Sequence, residues 1–129
     1  DFMTPEGEVI PNSRLTRPSA PARKYAYCSD TIYRPAIAEQ IRNVDLLFHE
    51  ATFAQGEQAR AKETYHTTAA QAAQLALDAN VKQLVIGHFS ARYEDESVLL
   101  HEASAIFPQT ILAKENLCID VDGGTVYEK

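Results

Sequence analysis

Four residues of types that hold metal ions or move protons stand at wide spacing between positions 30 and 88. They are Asp30, Glu50, His66 and His88. Aspartate and neutral histidine are the usual ligands of zinc or manganese in hydrolytic sites that keep coordination positions open for water. A carboxylate can also bridge two such ions, which then polarise one water and one phosphoryl oxygen together. Asp30 and His88 suit these ligand roles, so the residues predict metal-assisted hydrolysis.

Glu50 and His66 form a pair suited to proton transfer. His66 immediately precedes a predicted helix, whose positive end disfavours the imidazolium, while a carboxylate such as Glu50 favours it and fixes the ring orientation. A histidine placed in this way can donate a proton to a leaving oxygen. A purely structural alternative stays open, in which His66 extends the helix cap and Glu50 satisfies backbone donors.

Three of these residues follow short apolar runs that are typical of buried strands. The runs are 25–27 before Asp30, 46–48 before Glu50 and 84–87 before His88. Because α/β sheets place their chemistry at the carboxyl ends of strands, the three strand ends predict one shared site.

The remaining pattern predicts an irregular amino-terminal segment, 1–24, followed by one α/β layered domain, 25–129. Four prolines in residues 1–24 limit regular structure there, with only a short strand-like piece near Val9. Beyond it, strands alternate with helices, which is typical of α/β architecture. The expected strands are 24–29, 46–48, 83–87, 110–113, 117–121 and 125–127, the last after a Gly123-Gly124 turn. The expected helices run from Pro35 to Asn43, from Thr67 or Thr68 to Asn80, and over 94–106, with residues 54–65 as a polar connection.

Composition narrows the class of protein. A chain of 129 residues with 45% hydrophobic content predicts one modest core. The net charge of −6 argues against a general nucleic-acid platform, because phosphate binding normally requires a basic face. The run 9–29 carries four cations and no acid, but a solvated irregular segment is the simpler interpretation. No apolar stretch long enough to cross a bilayer and no signal-peptide pattern occur, which predicts a cytoplasmic protein that does not contact membranes.

Four segments, taken in order, resemble the motifs of the ribonuclease Z family. That family comprises the tRNA 3′-end processing endonucleases of the metallo-β-lactamase superfamily. The segments are Ser29-Asp30-Thr31, residues 47–53 with His49-Glu50-Ala51-Thr52, residues 66–73 beginning His66-Thr67-Thr68, and residues 87–93 beginning Gly87-His88-Phe89-Ser90. Glu50, His66 and His88 follow Asp30 by 20, 36 and 58 residues, a spacing that is also similar to the family's.

The resemblance implies a two-zinc site, with manganese or another divalent metal as a possible substitute. Asp30 would bridge the two ions, and His88 would be a terminal ligand of one of them. Glu50 would orient His66. A hydroxide held by the metal would attack the phosphodiester, and His66 would protonate the departing 3′ oxygen, leaving a tRNA 3′-hydroxyl and a 5′-phosphorylated trailer.

The resemblance also extends to the substrate and the fold. Arg92 would hold a substrate phosphate with its planar guanidinium, assisted by Ser90. His49 is expected to support the site or the packing rather than to bind metal. The implied fold is half of an αββα sandwich, with a mixed sheet and helices packed on one face.

Two substitutions and one absence depart from the family's pattern. Ser29 stands where the family often has glycine, and Thr67 stands in place of serine; both changes preserve the local chemistry. The amino-terminal His-x-His-x-Asp-His motif and a further ligand histidine are absent. We therefore expect this chain to be the carboxyl-terminal half of the enzyme, with little nuclease activity alone. Its expected partners are the missing amino-terminal half, precursor tRNA and a second subunit in a homodimer when complete.

Two other functions remain open from the sequence. Another hydrolase of the same fold, acting on a phosphodiester or a sulfate ester, would share the aspartate and histidine ligands. A non-catalytic interaction domain could keep the ancestral residues as structure.

Overall fold

The fold is built on a parallel sheet flanked by helices and by short antiparallel strand pairs. The computed structural model of the protein describes residues 1–121 and 126–129. Its strands are β1 (Phe2–Met3), β2 (Val9–Ile10), β3 (Tyr25–Cys28), β4 (Leu46–Glu50), β5 (Gln83–Gly87), β6 (Thr110–Leu112), β7 (Leu117–Ile119) and β8 (Val126–Glu128). Its α-helices are α1 (Asn12–Leu15), α2 (Gln58–Glu63), α3 (Ala69–Asp78) and α4 (Ser97–Ile106), and 3₁₀ turns span Pro35–Glu39 and Gln55–Glu57.

The central sheet has the strand order β3-β4-β5-β6, and each neighbouring pair is parallel. Antiparallel pairing occurs separately, between β1 and β2 and between β7 and β8. On the helix-covered face, the side chains of Leu47, Leu84 and Ile86 are fully buried in the main core with helices α3 and α4. Parallel sheets need such covering because an exposed face would leave their apolar side chains in water.

Helix α3 approaches the sheet closely because its inward side chains are small. Ala69, Ala72, Ala73 and Ala76 are fully buried. Of the two predicted caps, Thr67 and Thr68, the structure has Thr68. The Gln71 N–H donates to Thr68 Oγ1 and the Thr68 N–H donates to Gln71 Oε1, which together form a capping box. The helix ends before Asn80, which adopts the left-handed conformation expected of a helix stop.

Several predicted boundaries differ from the structure. Helix α4 begins at Ser97 rather than at residue 94, because the Asp95 carboxylate accepts bonds from the Ser97 N–H and hydroxyl and forms a local turn. The helix predicted from Pro35 is a short 3₁₀ turn. The connection 54–65 contains α2, which was not predicted because Ala61 alone is buried there and no apolar stripe marks it. The predicted Gly123-Gly124 turn lies outside the described residues.

The opposite face of the sheet is less covered. The rings of Tyr27 and Phe48 stack there at a centroid distance of 4.8 Å, and Tyr25 and Tyr27 are exposed. Gly87 lies beneath Phe48, and a Cβ atom at residue 87 would be 2.8 Å from two carbons of that ring. The sheet therefore packs tightly at its centre even on the open face.

Residues 1–24 contain β1, β2 and α1, and none of these residues is buried. In the part of the chain that the structure describes, no helix is both long enough and apolar enough to cross a membrane.

Candidate active site

The carboxyl ends of three neighbouring strands meet at one edge of the sheet. Asp30 follows β3, Glu50 is the last residue of β4, and His88 directly follows β5. His66 lies in the segment between α2 and α3 and reaches the same edge, since its Nδ1 is 3.0 Å from Glu50 Oε2. The structure thus brings together the four residues that the sequence singled out for metal binding and proton transfer.

Asp30 and His88 face each other across the mouth of this site. Nε2 of His88 is 3.3 Å from Oδ1 of Asp30. Asp30, His66 and His88 each offer one ligand atom within 4.8 Å of the others. Both Asp30 and His88 have positive backbone φ angles, 49° and 60° respectively. Such left-handed residues are uncommon outside glycine and concentrate at functional sites.

The carboxylate of Glu50 is fully buried and accepts several hydrogen bonds. Oε1 accepts from the backbone N–H of Thr31 at 2.5 Å, and Oε2 accepts from the backbone N–H of Thr67 at 3.2 Å. The Thr52 hydroxyl donates to Oε2 at 2.6 Å, and Nδ1 of His66 lies 3.0 Å from the same oxygen. A buried carboxylate requires such donors, because desolvation of an unpaired charge is costly. Glu50 thus satisfies backbone donors and holds the His66 ring at the same time.

Thr52 connects the two histidines to Glu50. Its hydroxyl has one proton and two acceptors in reach, Glu50 Oε2 at 2.6 Å and the His88 carbonyl oxygen at 2.9 Å. The shorter contact, to the charged carboxylate, is the stronger hydrogen bond and takes the proton. The hydroxyl oxygen can then accept from Nδ1–H of His88, which lies 3.1 Å away. The same logic gives His66 a proton on Nδ1, donated to Glu50. Both imidazoles consequently keep Nε2 as the atom that faces outward.

The ligand atoms of Asp30 and His88 fit one divalent ion. With the Nδ1 proton of His88 directed to Thr52, Nε2 of His88 and Oδ1 of Asp30 are two acceptors facing each other, and a cation between them satisfies both. Their separation of 3.3 Å suits two ligands at ordinary zinc–nitrogen and zinc–oxygen bond lengths of about 2.0–2.2 Å. A hydrogen bond from a supporting group to the second ring nitrogen is the usual companion of a metal-ligating histidine.

The loop after His88 is tied to the strand-end segment of β4. The Ser90 N–H donates to the Thr52 carbonyl at 3.0 Å, and the Tyr93 hydroxyl accepts from the Ala54 N–H at 2.8 Å. Ser90 Oγ lies 3.4 Å from the backbone nitrogen of Arg92. These bonds fix the loop that carries Ser90 and Arg92 beside the metal donors.

The Arg92 guanidinium is held in place by two neighbours. It lies 5.4 Å from the ring centroid of Phe53, within cation–π range, and its Nη1 is 3.2 Å from Glu57 Oε2. The sequence singled out Arg92 but not these supports. The roles of Thr52, Phe53, Glu57 and Tyr93 were missed because they depend on contacts between distant segments. Arg92 lies four residues after His88, and that spacing was the signal available for it.

His49 is buried beneath the site rather than in it. Its Nδ1 lies 2.8 Å from the Glu50 carbonyl oxygen, so Nδ1 is the protonated nitrogen. Burial lowers the pKa of the His49 imidazole, an effect larger than the opposing one of the Glu50 carbonyl. His49 is therefore a neutral packing residue, in the position that the sequence predicted for it.

Comparison with known proteins places the fold and the motifs in a family. A family model described as a beta-lactamase superfamily domain matches residues 14–89, more than half of the chain. The chain belongs to the beta-lactamase superfamily. Within this superfamily, the metallo-beta-lactamase fold protein YhfI from Bacillus subtilis superposes with a TM-score of 0.63 at 23% identity, covering 79% of this chain and 38% of that protein. A long form RNase Z from yeast superposes with a TM-score of 0.60 at 24% identity, covering 75% of this chain and 13% of that one.

Curated relatives match at much higher identity. The chain is 82% identical over 125 residues to a protein named ribonuclease Z from Bacteroides thetaiotaomicron, a match that covers 97% of this chain and 40% of that protein. The resemblance to ribonuclease Z that the four motifs indicated is confirmed by this similarity. The chain spans about 40% of the length of the curated relatives it matches.

Proposed function

We propose that this chain is the carboxyl-terminal part of a zinc-dependent endoribonuclease that removes the 3′ trailer from precursor tRNA. The observation that carries the proposal is the Glu50–His66 pair, with Nδ1 and Oε2 3.0 Å apart, beside the facing donors of Asp30 and His88. The proteins named ribonuclease Z that share 82% and 78% of aligned residues support the substrate class.

Asp30 and His88 are the residues of this chain that hold the metal in this proposal. A bound divalent ion, zinc or in its place manganese, supplies Lewis-acid polarisation of water and of a phosphoryl oxygen. Two ions need more ligands than these residues provide. The rest of the longer protein supplies them, with residues 1–24 as the segment that leads into the half-domain 25–129.

His66 is the proton donor for the departing 3′ oxygen. Glu50 accepts the Nδ1 proton and thereby fixes the ring, while Nε2 makes no hydrogen bond within the described residues. A histidine with one nitrogen fixed and the other facing the reacting atoms is arranged for general-acid catalysis, which contributes about 10²–10⁴-fold.

Arg92 and Ser90 contact the substrate phosphate. The guanidinium is planar and presents paired donors that match phosphate oxygens. Phe53 and Glu57 hold it in place before substrate arrives. The complete enzyme is proposed to be a cytoplasmic homodimer.

The test uses the full-length protein with two substrates. Precursor tRNA has a poor ribose leaving group that needs a proton, whereas bis(p-nitrophenyl) phosphate has a leaving group that does not. We expect His66→Ala to lower kcat on precursor tRNA by about 10²–10⁴-fold and to leave turnover of the small diester within a few-fold. Equal losses on both substrates would show that His66 is not the general acid. Turnover of small esters without any tRNA cleavage by the wild-type protein would favour the phosphodiesterase alternative.

A further inference from the structure

Thr67 carries a buried hydroxyl that the proposed mechanism does not use. The side chain is fully buried, and its Oγ1 donates to the backbone carbonyl of Thr31 at 2.6 Å. Thr67 directly follows His66, and Thr31 directly follows Asp30. The bond therefore joins the residue after the proton donor to the residue after the metal ligand, across 36 positions of sequence.

The bond between Thr67 and Thr31 closes a cycle of hydrogen bonds with Glu50. Oε1 of Glu50 accepts from the Thr31 N–H at 2.5 Å, and Oε2 accepts from the Thr67 N–H at 3.2 Å. Both polar groups of the Thr31 backbone are thus bonded, the N–H to the carboxylate and the carbonyl to the Thr67 hydroxyl. The Thr67 carbonyl in turn accepts from the Thr52 N–H at 3.0 Å, so the cycle is anchored to the segment after β4.

Asp30 needs support from this cycle because its backbone is left-handed, with a φ angle of 49°. A positive φ is unfavourable for residues other than glycine, so an unsupported backbone relaxes toward negative φ. The Asp30 side chain is exposed, and packing therefore does not hold it. The bonds to the backbone of Thr31 are what keeps Asp30 in this conformation.

We propose that Thr67 is a positioning residue for Asp30. Its hydroxyl holds Thr31 and thereby keeps Asp30 in the left-handed conformation that directs the carboxylate toward His88, whose Nε2 lies 3.3 Å from Oδ1. The inference rests on the proposed function, in which Asp30 and His88 hold the metal. Thr67 itself is fully buried and contacts neither metal nor substrate.

Loss of the hydroxyl should therefore appear as a loss of metal affinity. Without the bond from Thr67, Asp30 relaxes in the metal-free protein, and the metal must bind the fraction of molecules in which Asp30 is still left-handed. The apparent affinity falls by that fraction.

Thr68 provides a matched control, because it is the next residue, is equally buried and is also a threonine. Its hydroxyl donates to Gln55 Oε1 and accepts from the Gln71 N–H at the start of α3. Removal of this hydroxyl deletes hydrogen bonds of a buried group but none that leads to Asp30. Thr67→Val and Thr68→Val should both lower the unfolding midpoint, whereas only Thr67→Val should lower metal affinity.

The experiment measures zinc binding to the metal-free, full-length protein by calorimetric titration. We expect Thr67→Val to lower zinc affinity by about 5- to 30-fold, the factor that corresponds to the cost of one left-handed residue. Thr67→Ser keeps the hydroxyl, and Thr68→Val keeps the cycle, so both should bind zinc like wild type. The backbone ¹³C NMR shifts of Asp30 in the metal-free protein should leave their left-handed values in Thr67→Val alone.

Saturating zinc should restore the left-handed conformation. Under that condition we expect Thr67→Val to turn over bis(p-nitrophenyl) phosphate and precursor tRNA with kcat within a few-fold of wild type. Wild-type zinc affinity in Thr67→Val would overturn the proposal, as would an equal loss of affinity in Thr68→Val. A loss of kcat on precursor tRNA alone at saturating zinc would also overturn it, because the hydroxyl would then act through His66.

Failure of the proposed function gives a different result. In that case the wild-type protein does not cleave precursor tRNA, whereas the zinc titrations involve no RNA and still decide the role of Thr67. If Thr67→Val does not fold, Thr67→Ala is the second variant, since it removes the same hydroxyl without adding a methyl group. Wild-type zinc affinity in Thr67→Ala overturns the proposal as well.

Discussion

The hydroxyl oxygen of Thr52 lies 3.1 Å from Nδ1 of His88. Because the hydroxyl proton is directed to Glu50, 2.6 Å away, its oxygen is free to accept from the His88 ring. This bond presents Nε2 of His88 to Asp30 as a metal ligand. One buried hydroxyl therefore joins the metal donors to the proton-transfer pair.

Removal of the Thr52 hydroxyl should weaken metal binding. We expect Thr52→Val to reduce zinc affinity of the full-length protein by about 10- to 100-fold, the usual effect of losing the supporting partner of a ligating histidine. Thr52→Ser keeps the hydroxyl and should bind zinc like wild type. Calorimetric titration measures the affinities, and ¹⁵N NMR of the metal-free protein reports which His88 nitrogen carries the proton. Unchanged affinity and tautomer in Thr52→Val would contradict this role.

Glu50→Gln should destabilise the fold as well as the activity. Thr31 and Thr67 donate backbone N–H groups to different oxygens of the Glu50 carboxylate, so an amide in either orientation turns its NH₂ group toward one of them. We expect a loss of about 3 kcal/mol in the free energy of unfolding, measured by urea denaturation. Glu63→Gln at the exposed end of α2 is the control. Equal unfolding midpoints for the two variants would show that Glu50 is not held in this way.

Apolar runs and capping residues in the sequence predicted most of the helices and strands. The remaining features depend on contacts between segments that are far apart in the sequence. The strand Gln83–Gly87 and the cap at Thr68 follow from apolar runs and capping residues, which act over a few positions. Helix α2 has no such signal, because its packing depends on one buried alanine. Asp30, Glu50 and His88 lie at one edge because they stand at the carboxyl ends of neighbouring parallel strands. Their positions after apolar runs in the sequence indicated this placement. The hydrogen bonds of the Thr52 and Thr67 hydroxyls arise only when these segments meet.

Acid should destabilise the protein through His49. Burial lowers the pKa of His49 in the folded state, whereas the unfolded imidazole titrates near its ordinary value of about 6.5. The unfolded state therefore binds more protons below that pH. The contribution to stability is complete above about 6.5 and is lost as the pH falls from there toward the folded pKa.

The measurement is the free energy of unfolding of metal-free protein between pH 8 and pH 5. The His49→Gln variant keeps a donor for the Glu50 carbonyl but does not titrate. Its free energy of unfolding should therefore fall less steeply with decreasing pH than that of the wild type, and the two slopes should differ by up to about 1.4 kcal/mol per pH unit. His101→Gln, at an exposed position of α4, should retain the wild-type slope. Identical slopes for wild type and His49→Gln would refute the assignment.

The left-handed backbone at Asp30 predicts that a glycine variant is more stable than an alanine variant at this position, the reverse of the order found in helices. Glycine adopts a positive φ without strain, whereas alanine does not. Asp30→Gly and Asp30→Ala both remove the carboxylate and should both lose metal, yet the glycine variant should be about 1 kcal/mol more stable. At Gln74, inside α3, the order should reverse because glycine weakens helices. Urea denaturation of metal-free proteins checks both pairs, and a shared order at the two positions would disprove the backbone argument.

Gly87→Ala should destabilise the protein by about 1–3 kcal/mol, the usual effect of overpacking. The added Cβ would lie 2.8 Å from the Phe48 ring, which must move. The smaller side chain of Phe48→Leu should relieve the clash, so the double variant should lose less than the sum of the single ones. Strict additivity in a double-mutant cycle would argue against direct contact.

Gly87 and Phe48 lie between the less covered face of the sheet and the candidate metal site. Phe48 and Tyr27 form part of the less covered sheet face, while the residue after Gly87 is His88. If a chain that binds this face shifted the Phe48 ring and with it the backbone at Gly87, the position of the metal ligand His88 would change as well. By reciprocity, a metal ion that holds His88 would then change the affinity of that face for its partner by the same factor.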